Sequence, residues 1–246
     1  MSIFSKFTKH ADKGVYPWSQ KKLNVTSPLP RGGHSADQVA LGNDIYLFGG
    51  IAKGQPRRDL FIIESIFGGE PRNPDEKCDE NLYVLNINTK QWARPQIDGN
   101  LPHGRFGHSA VIFGSRMYIF GGQVDGHYLN DLIAFDVTTL ESSAPRWEFI
   151  VAGNEGPFGR TGHISAYHGG KIYVFGGTDG EAFYNDIWAY DIQYNAWSQI
   201  QATNHIPAPR EHAAATIVDD VVYVFGGRGP EGEEYGDLCA FRIRSR

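Results

Sequence analysis

Short runs of β-branched and aromatic residues recur along the chain, and each ends in Phe-Gly-Gly. Such runs predict buried strands. Two glycines after a strand indicate a bend with close backbone approach, which a Cβ would obstruct. The runs are Ile45–Phe48, Met117–Phe120, Ile172–Phe175 and Val221–Phe225, with a further Phe-Gly-Gly at 67–69. The glycine pairs after these four runs are Gly49 and Gly50, Gly121 and Gly122, Gly176 and Gly177, and Gly226 and Gly227.

Three other features accompany each Phe-Gly-Gly run. An arginine followed closely by a histidine precedes an alternating segment, which predicts a strand upstream of the run. We call such a residue a leading arginine. The four leading arginines with their histidines are Arg31 with His34, Arg105 with His108, Arg160 with His163, and Arg210 with His212. A third strand opens at Asp59, Asn81, Asp131, Asp186 or Asp237, and a fourth is marked by Trp18, Trp92, Trp147 or Trp197.

The spacing of these features is constant where strands must stay in register. Each of the four tryptophans lies 13 residues before a leading arginine, and three of the four leading arginines lie 15 residues before the Phe of Phe-Gly-Gly. Four short strands in roughly fifty residues, with Gly-Gly after the second, is the kelch pattern of a propeller blade. A blade is stable only when its faces pack against neighbouring blades. The sequence therefore predicts an all-β, kelch-type β-propeller.

One interval breaks this spacing. From Asn81 to Phe120 the distance is 39 residues, whereas from Asp59 to Phe67 it is 8, so about 31 residues of an expected repeat are absent near 63–67. We expect residues 31–92 to form one compressed hybrid blade within an incomplete propeller of about four to five blades. The propeller is expected to span 18–246 after a flexible segment 1–17, with further repeat material missing after 246 and the Trp18 strand available to close the ring.

Composition narrows the functional classes. The 30 glycines and 13 prolines in 246 residues suit short strands joined by tight turns. A formal net charge of -5 gives no broad basic surface, so nucleic acid is not expected as a partner. Cys78 and Cys239 stand apart, which favours a reducing, cytoplasmic compartment. No apolar run is long enough for a secretory core or a membrane span, so no direct membrane insertion is expected.

With these motifs in view, the chain resembles the kelch domain of the fungal cell-polarity, or cell-end-marker, family. The resemblance rests on three segments besides the repeats: Ser27–Arg31 after Trp18, the insertion ending Pro145-Arg-Trp147-Glu, and Gly176–Gly180 followed by Phe183-Tyr-Asn-Asp186. It implies a scaffold at sites of polarised growth, with polarity or microtubule-associated proteins as partners and a location at cell tips or the cell cortex. That family commonly carries six blades followed by coiled coils, a pattern from which this sequence departs.

The repeated polar residues admit two interpretations. The four histidines could converge on a metal at the propeller axis. One structural role repeated four times explains them with fewer assumptions, so we expect no metal, no cofactor and no catalytic residue. The leading arginines could ring a funnel mouth and bind acidic groups. Because they repeat, we expect them to hold backbone carbonyls or the aspartates that open the third strands.

Residues that do not repeat are the better candidates for function. In a four-stranded meander, the loop after the second strand lies on the same face as the loop entering the first. Aromatic residues mixed with charges on that face favour a protein interface, although they could also be solvated turn tips. The candidate partner-binding residues are Arg57, Arg58, Asp125, His127, Tyr128, Asp179, Phe183, Tyr184, Arg228 and Tyr235.

These features predict a non-catalytic protein–protein interaction scaffold. Two alternatives stay open at this point. The first is a kelch-propeller metalloenzyme, which metal analysis would distinguish. The second is a substrate-adaptor kelch domain for ubiquitin ligation, which normally follows a helical adaptor domain. No nucleophile elbow, phosphate loop or paired-cysteine zinc motif occurs in the sequence.

Overall fold

The computed structural model describes the chain in separate ranges. The backbone is described for residues 32–38, 45–51, 59–62, 65–67, 82–86, 91–141, 145–202 and 206–243. Side chains are described for Leu82 and from Trp92 onward within these ranges. The predictions for segment 1–17, for Trp18 and Arg31, and for Arg57 and Arg58 lie outside the described residues.

Among the described residues after position 100, three antiparallel sheets have the strand order that the repeat predicts. In each, the second strand pairs with both the first and the third. The second sheet contains β7 (Ser109–Phe113), β8 (Arg116–Phe120), β11 (Leu132–Asp136) and β12 (Trp147–Ile150). The third contains β13 (Ile164–His168), β14 (Lys171–Phe175), β15 (Ile187–Asp191) and β16 (Ala196–Ile200). The fourth contains β17 (Ala214–Val218), β18 (Val221–Phe225) and β19 (Leu238–Arg242).

Two short elements interrupt the second sheet. A two-stranded hairpin, β9 (Gln123–Val124) and β10 (His127–Tyr128), lies between β8 and β11. A 3-10 helix at Val137–Glu141 follows β11. The hairpin therefore forms the loop after the second strand of this sheet.

The compressed region forms a single continuous sheet, which we call the first or hybrid sheet. Its six strands pair in chain order, all antiparallel, and β4 pairs with β3 on one side and with β5 on the other. The strands are β1 (Gly32–Gln38), β2 (Ile45–Ile51), β3 (Asp59–Ile62), β4 (Ser65–Phe67), β5 (Tyr83–Asn86) and β6 (Gln91–Ala93). The prediction of one hybrid blade in an incomplete all-β propeller is confirmed.

The core lies between successive sheets. Trp147 packs between the first and second sheets with Leu82 and Phe135, and Trp197 packs between the second and third with Phe120. The first strands contact one another in order, β1 with β7, β7 with β13, and β13 with β17. Each outer-strand tryptophan thus fills a sheet interface, where its large apolar ring is removed from water.

Candidate functional site

The leading arginines are buried anchors. Arg160 is 0% exposed, and its Nη1 donates hydrogen bonds to the Gly176 carbonyl (3.0 Å) and to Oδ1 of Asp186 (2.6 Å). Its Nη2 donates to Oδ2 of the same carboxylate at 3.1 Å, which makes the pair bidentate. Corresponding bonds join Arg105 to Gly121 and Asp131, and Arg210 to Gly226 and Asp237. These contacts match the structural interpretation, in which the arginine ties the glycine bend to the aspartate that opens the third strand.

The ion pair also sets the charge state of its aspartate. Hydrogen bonding from Arg210 lowers the pKa of Asp237 to about 2. The carboxylate therefore stays ionised and paired at neutral pH.

The glycine pairs allow neighbouring backbones to approach closely. Gly122, Gly177 and Gly227 have φ angles of 93°, 90° and 97°, in the region that side chains disfavour. A Cβ on Gly177 would lie 2.6 Å from the carbonyl oxygen of Thr161. The bend after the second strand can thus pair with the loop that enters the first strand of the same sheet.

His163 is buried between the second and third sheets, and the ring nitrogens of the half-buried His108 are also shielded from solvent. His163 Nε2 lies 2.8 Å from the hydroxyl of Ser109, which belongs to the preceding sheet. Burial, reinforced by the positive charge of Arg160, lowers the pKa of His163 to about 3. Burial likewise holds the pKa of His108 well below its ordinary value. Both rings are therefore neutral at physiological pH.

His212 does not occupy the slot of the other histidines. It has a φ of 55°, and its counterparts in the second and third sheets are Gly107 (63°) and Gly162 (65°). Ala213 takes the histidine slot, since its Cβ lies beside Gly227 as the Cβ of His163 lies beside Gly177. The expectation of one role for four histidines is wrong for His212. The sequence does contain a signal for this difference. Phe225 follows Arg210 by 15 residues, as Phe175 follows Arg160, so the residue three positions after Arg210, Ala213, corresponds to His163.

Acid should destabilise the fold through His163. Its pKa is near 6.5 in the unfolded chain and about 3 when folded, so only the unfolded state gains the proton between these values. Stability is therefore lost as pH falls below about 6.5. From pH 7 to 4.5, we expect the difference in unfolding free energy between the parent and His163→Asn to shrink by about 2–3 kcal/mol. Urea titrations at each pH measure it.

The exposed His103→Asn variant is the control for this measurement and should follow the parent curve. Parallel pH curves for the parent and His163→Asn would contradict the assignment of a buried neutral ring.

The loops after the second strands and the loops that carry the leading arginines lie at one end of the sheets. Bridges join Phe106 with Gln123, Thr161 with Thr178, and Glu211 with Arg228. Adjacent sheets are joined there too, since the Arg160 amide donates to the Leu129 carbonyl at 3.1 Å and the Arg210 amide to the Tyr184 carbonyl at 3.2 Å. We call this end of the sheets the loop face.

Two candidate aromatic residues on the loop face brace leading arginines. The guanidinium of Arg160 lies over the ring of Tyr184 at 4.1 Å, and that of Arg210 lies over Tyr235 at 4.3 Å. Both tyrosines stand two residues before the aspartate that pairs with the arginine. The two tyrosines therefore share a structural contact, and their assignment to partner binding stays a prediction. This constant two-residue interval between tyrosine and aspartate is the sequence signal that identifies a repeated position.

Tyr128 and the loop of the third sheet come together. A Cβ on Gly180 would lie 2.3 Å from the Tyr128 hydroxyl, so this half-buried ring packs across the boundary between two sheets. Asp179 caps its own turn by accepting hydrogen bonds from the Ala182 amide (2.7 Å) and the Tyr184 hydroxyl (2.5 Å). Burial alone would raise the pKa of Asp179, but these hydrogen bonds lower it. The turn is closed by these hydrogen bonds, and residues 180–182 at its tip are exposed to solvent.

The remaining described candidates differ in accessibility. Asp125 and His127 are exposed on the β9–β10 hairpin, and Phe183 is half-buried and pairs with Thr178. Arg228 is exposed, but its Nε donates to Oε1 of the buried Glu211 at 3.0 Å. Arg228 is thus already paired within the chain.

Phe158 is a loop-face residue that the sequence pattern did not single out. Its side chain is 72% exposed, and the next residue, Gly159, packs against the Tyr128 carbonyl. It stands two residues before Arg160, a slot that holds His103 and Ala208 in the neighbouring repeats. The residue type at this position differs from repeat to repeat, so an aromatic residue there could have been recognised as a candidate from the sequence.

Within the described ranges, no helix has the length and apolarity needed to cross a membrane. Among the same residues, no three histidine, cysteine, aspartate or glutamate side chains group closely enough to hold a metal ion.

The chain is similar to several known proteins, two of which are named for the kelch repeat or domain. It is 34% identical over 94% of its length to Tip elongation aberrant protein 1 of Schizosaccharomyces pombe. It is 30% identical over 72% of its length to Kelch repeat-containing protein 2 of Saccharomyces cerevisiae, and 28% identical over 91% to Kelch domain-containing protein 3 of Bos taurus. The chain spans 23%, 25% and 54% of these three proteins, respectively.

The family model described as the KLHDC2/KLHL20/DRC7 Kelch-repeats domain matches residues 64–246. This range includes the second, third and fourth sheets and the end of the hybrid sheet. The glycine bends, leading arginines and outer-strand tryptophans described above recur within it. The chain therefore belongs to the Kelch-repeat family.

Proposed function

We propose that this protein is a non-catalytic interaction module whose loop face binds another protein. The observation that carries the proposal is the exposure of side chains with no repeated structural role at one end of the sheets. Phe158 is 72% exposed, and Asp125, His127 and Glu181 are exposed on loops of the same face in the second and third sheets. An aromatic residue among charged ones is a composition that protein interfaces favour.

The proposed setting is a polarity or cytoskeletal complex, with polarity or microtubule-associated proteins as partners. The support is the similarity to a protein named for aberrant tip elongation over 94% of this chain. On the same basis we propose a cytoplasmic location at the cell tip or cortex. Because the chain spans 23% of that relative, the scaffold role is proposed for this kelch region alone.

Replacing Phe158 by alanine tests the loop face. The parent and the variant would be immobilised in equal amounts, and proteins captured from a fungal extract would be quantified by mass spectrometry. We expect Phe158→Ala to fail to capture a specific set of proteins. Its affinity for a direct partner should fall ~30-fold, or by about 2 kcal/mol, which is a typical contribution of an interface aromatic residue. The melting temperature should hardly change, because the side chain is largely exposed.

Tyr194→Ala is the matched control. Tyr194 is 75% exposed and lies in the turn between the third and fourth strands of the third sheet, at the other end from the loop after its second strand. It should capture the same proteins as the parent. If Phe158→Ala does so too, or if Tyr194→Ala alone loses them, binding does not use the loop face.

A further inference from the structure

The loop face has few basic side chains between the β9–β10 hairpin and the fourth sheet. The loops of this part contain three arginines and no lysine, and they are residues 123–131, 151–162, 176–186, 206–213 and 226–237. Each arginine is already paired with a carboxylate: Arg160 with Asp186, Arg210 with Asp237, and Arg228 with Glu211. The positive charges of these loops are therefore neutralised within the chain.

The same loops carry a surplus of carboxylates. Seven of them form no ion pair with any described residue: Asp125, Glu155, Asp179, Glu181, Glu231, Glu233 and Glu234. All but Asp179 are exposed. We call these loops the acidic loops, because at neutral pH they present negative charge to solvent with no unpaired arginine or lysine among them.

The other end of the same sheets has a smaller surplus. Three basic side chains pair with carboxylates there: Arg116 with Glu148, Lys171 with Asp191, and Arg242 with Asp220. Among the side chains described at that end, Asp136 and Asp219 are the carboxylates left without an ion pair. The two ends therefore differ in charge, and a charged partner would distinguish them.

An exposed aromatic ring stands within the acidic loops on a fixed backbone. Phe158 is 72% exposed, and its carbonyl accepts a hydrogen bond from Nε of the buried Arg160 at 3.1 Å. The equivalent arginines bind the carbonyls of His103 and Ala208 in the same way. The backbone geometry is thus common to the repeats, whereas the aromatic ring belongs to this one. A ring on a fixed backbone has less conformational entropy to lose on binding.

The carboxylates nearest to Phe158 come from both the second and the third sheets. The hairpin that carries Asp125 meets the Phe158 loop, since a Cβ on Gly159 would lie 2.2 Å from the Tyr128 carbonyl oxygen. Glu181 follows Gly180, which packs against the Tyr128 ring. Each carboxylate lies a few residues from a contact of this group, roughly 10 Å of chain at most. That reach is comparable to the screening length at physiological salt, so their fields add around Phe158.

We propose that the segment bound by the loop face is rich in arginine and lysine and places a basic side chain against Phe158. This inference rests on the proposed function and specifies the chemistry of the partner. Guanidinium and ammonium groups would meet carboxylates that have no partner in the chain, and the face of an aromatic ring attracts cations. An acidic segment would be repelled by the same carboxylates.

Selection of random-sequence peptides tests the charge of the partner without assuming it. A phage-displayed library would be selected on the immobilised full chain, and peptides retained by the parent but not by Phe158→Ala would be sequenced. We expect these peptides to be enriched in arginine and lysine relative to the unselected library. Neutral or acidic peptides that depend on Phe158 would overturn the proposal but support binding by the loop face. Absence of any Phe158-dependent peptide would contradict both.

Neutralising three unpaired carboxylates measures the electrostatic contribution. The variant carries Asp125→Asn, Glu155→Gln and Glu181→Gln, which remove charge with little change in size. Binding of one selected peptide, labelled with fluorescein, would be followed by fluorescence anisotropy. We expect affinity to fall at least ~10-fold at low salt, and the advantage of the parent to shrink in about 0.3 M NaCl because exposed charges are screened. An affinity that depends on neither the charges nor the salt would overturn the proposal.

Asp219→Asn is the matched control for Asp125→Asn. Both aspartates are exposed in turns with positive φ, 55° for Asp219 and 48° for Asp125, where asparagine is also tolerated. Both changes alter the net charge equally, but Asp219 lies at the other end of the sheets. We expect Asp125→Asn to bind the peptide about two- to fivefold more weakly than the parent, and Asp219→Asn to bind as the parent does. Equal weakening by the two variants would assign the effect to net charge and overturn the proposal.

Discussion

Replacing Arg160 by methionine is expected to lower the free energy of unfolding by about 3–5 kcal/mol, as breaking a buried ion pair from one side typically does. The guanidinium is 0% exposed and bonds the Gly176 carbonyl and both oxygens of Asp186. Methionine would fill much of the space but leave the carboxylate and the carbonyl without these donors. Urea unfolding of parent and variant measures the loss.

Two further variants separate charge from geometry. Arg160→Lys keeps the positive charge but not the planar fork that binds both carboxylate oxygens, so we expect it to lose about 2 kcal/mol or more. Lys171→Gln removes a more exposed ion pair, with Asp191 at 2.9 Å, and should cost less than about 1 kcal/mol. If Arg160→Met costs no more than Lys171→Gln, Arg160 does not anchor the blade.

Replacing Trp197 by alanine is expected to cost about 3–5 kcal/mol, the usual effect of truncating a buried aromatic side chain. Trp197 is 6% exposed and packs against Phe120 of the second sheet and Tyr190 of its own. Asn154 also binds its backbone, through an amide donor at 2.7 Å and a carbonyl acceptor at 2.8 Å. The variant would keep this backbone clamp and lose the packing between sheets.

Tyr194→Ala is the control for Trp197→Ala, because Tyr194 lies three residues away and is 75% exposed. It should change the free energy of unfolding by less than about 0.5 kcal/mol. A similarly small loss for Trp197→Ala would mean that the outer strand does not hold neighbouring sheets together. Trp147→Ala should behave as Trp197→Ala does, since Trp147 fills the corresponding interface.

The strands were predictable because their signals are local. A β-branched or aromatic run and a glycine pair act within a few residues, so the order of strands and the compressed sheet follow from the spacing. The same counting corrects His212. From Arg210 to Phe225 the interval equals that from Arg160 to Phe175, so the residue three after Arg210 is Ala213 and His212 falls in a glycine slot.

The exposure of the loop-face residues could not be predicted from the sequence because exposure is not a local property. Tyr184 looks like a turn-tip aromatic in the sequence, but its ring lies against Arg160, 24 positions earlier in the chain. Phe158 lies two residues from that buried arginine, yet most of its side chain is exposed. Side-chain accessibility depends on how adjacent sheets meet, which residue type does not reveal.

The sequence by itself determined the repeat and the hybrid sheet, whereas the partners of the leading arginines were settled by the structure. The repeat and the hybrid sheet follow from periodic spacing and from the conformational freedom that glycine alone provides. Only the tertiary structure decided which aromatic side chains of the loops are exposed to solvent and where a cleft lies beside β19. The physical reason is that burial and cavity volume arise from packing between sheets whose residues are far apart in the chain, so they depend on the whole assembly of blades.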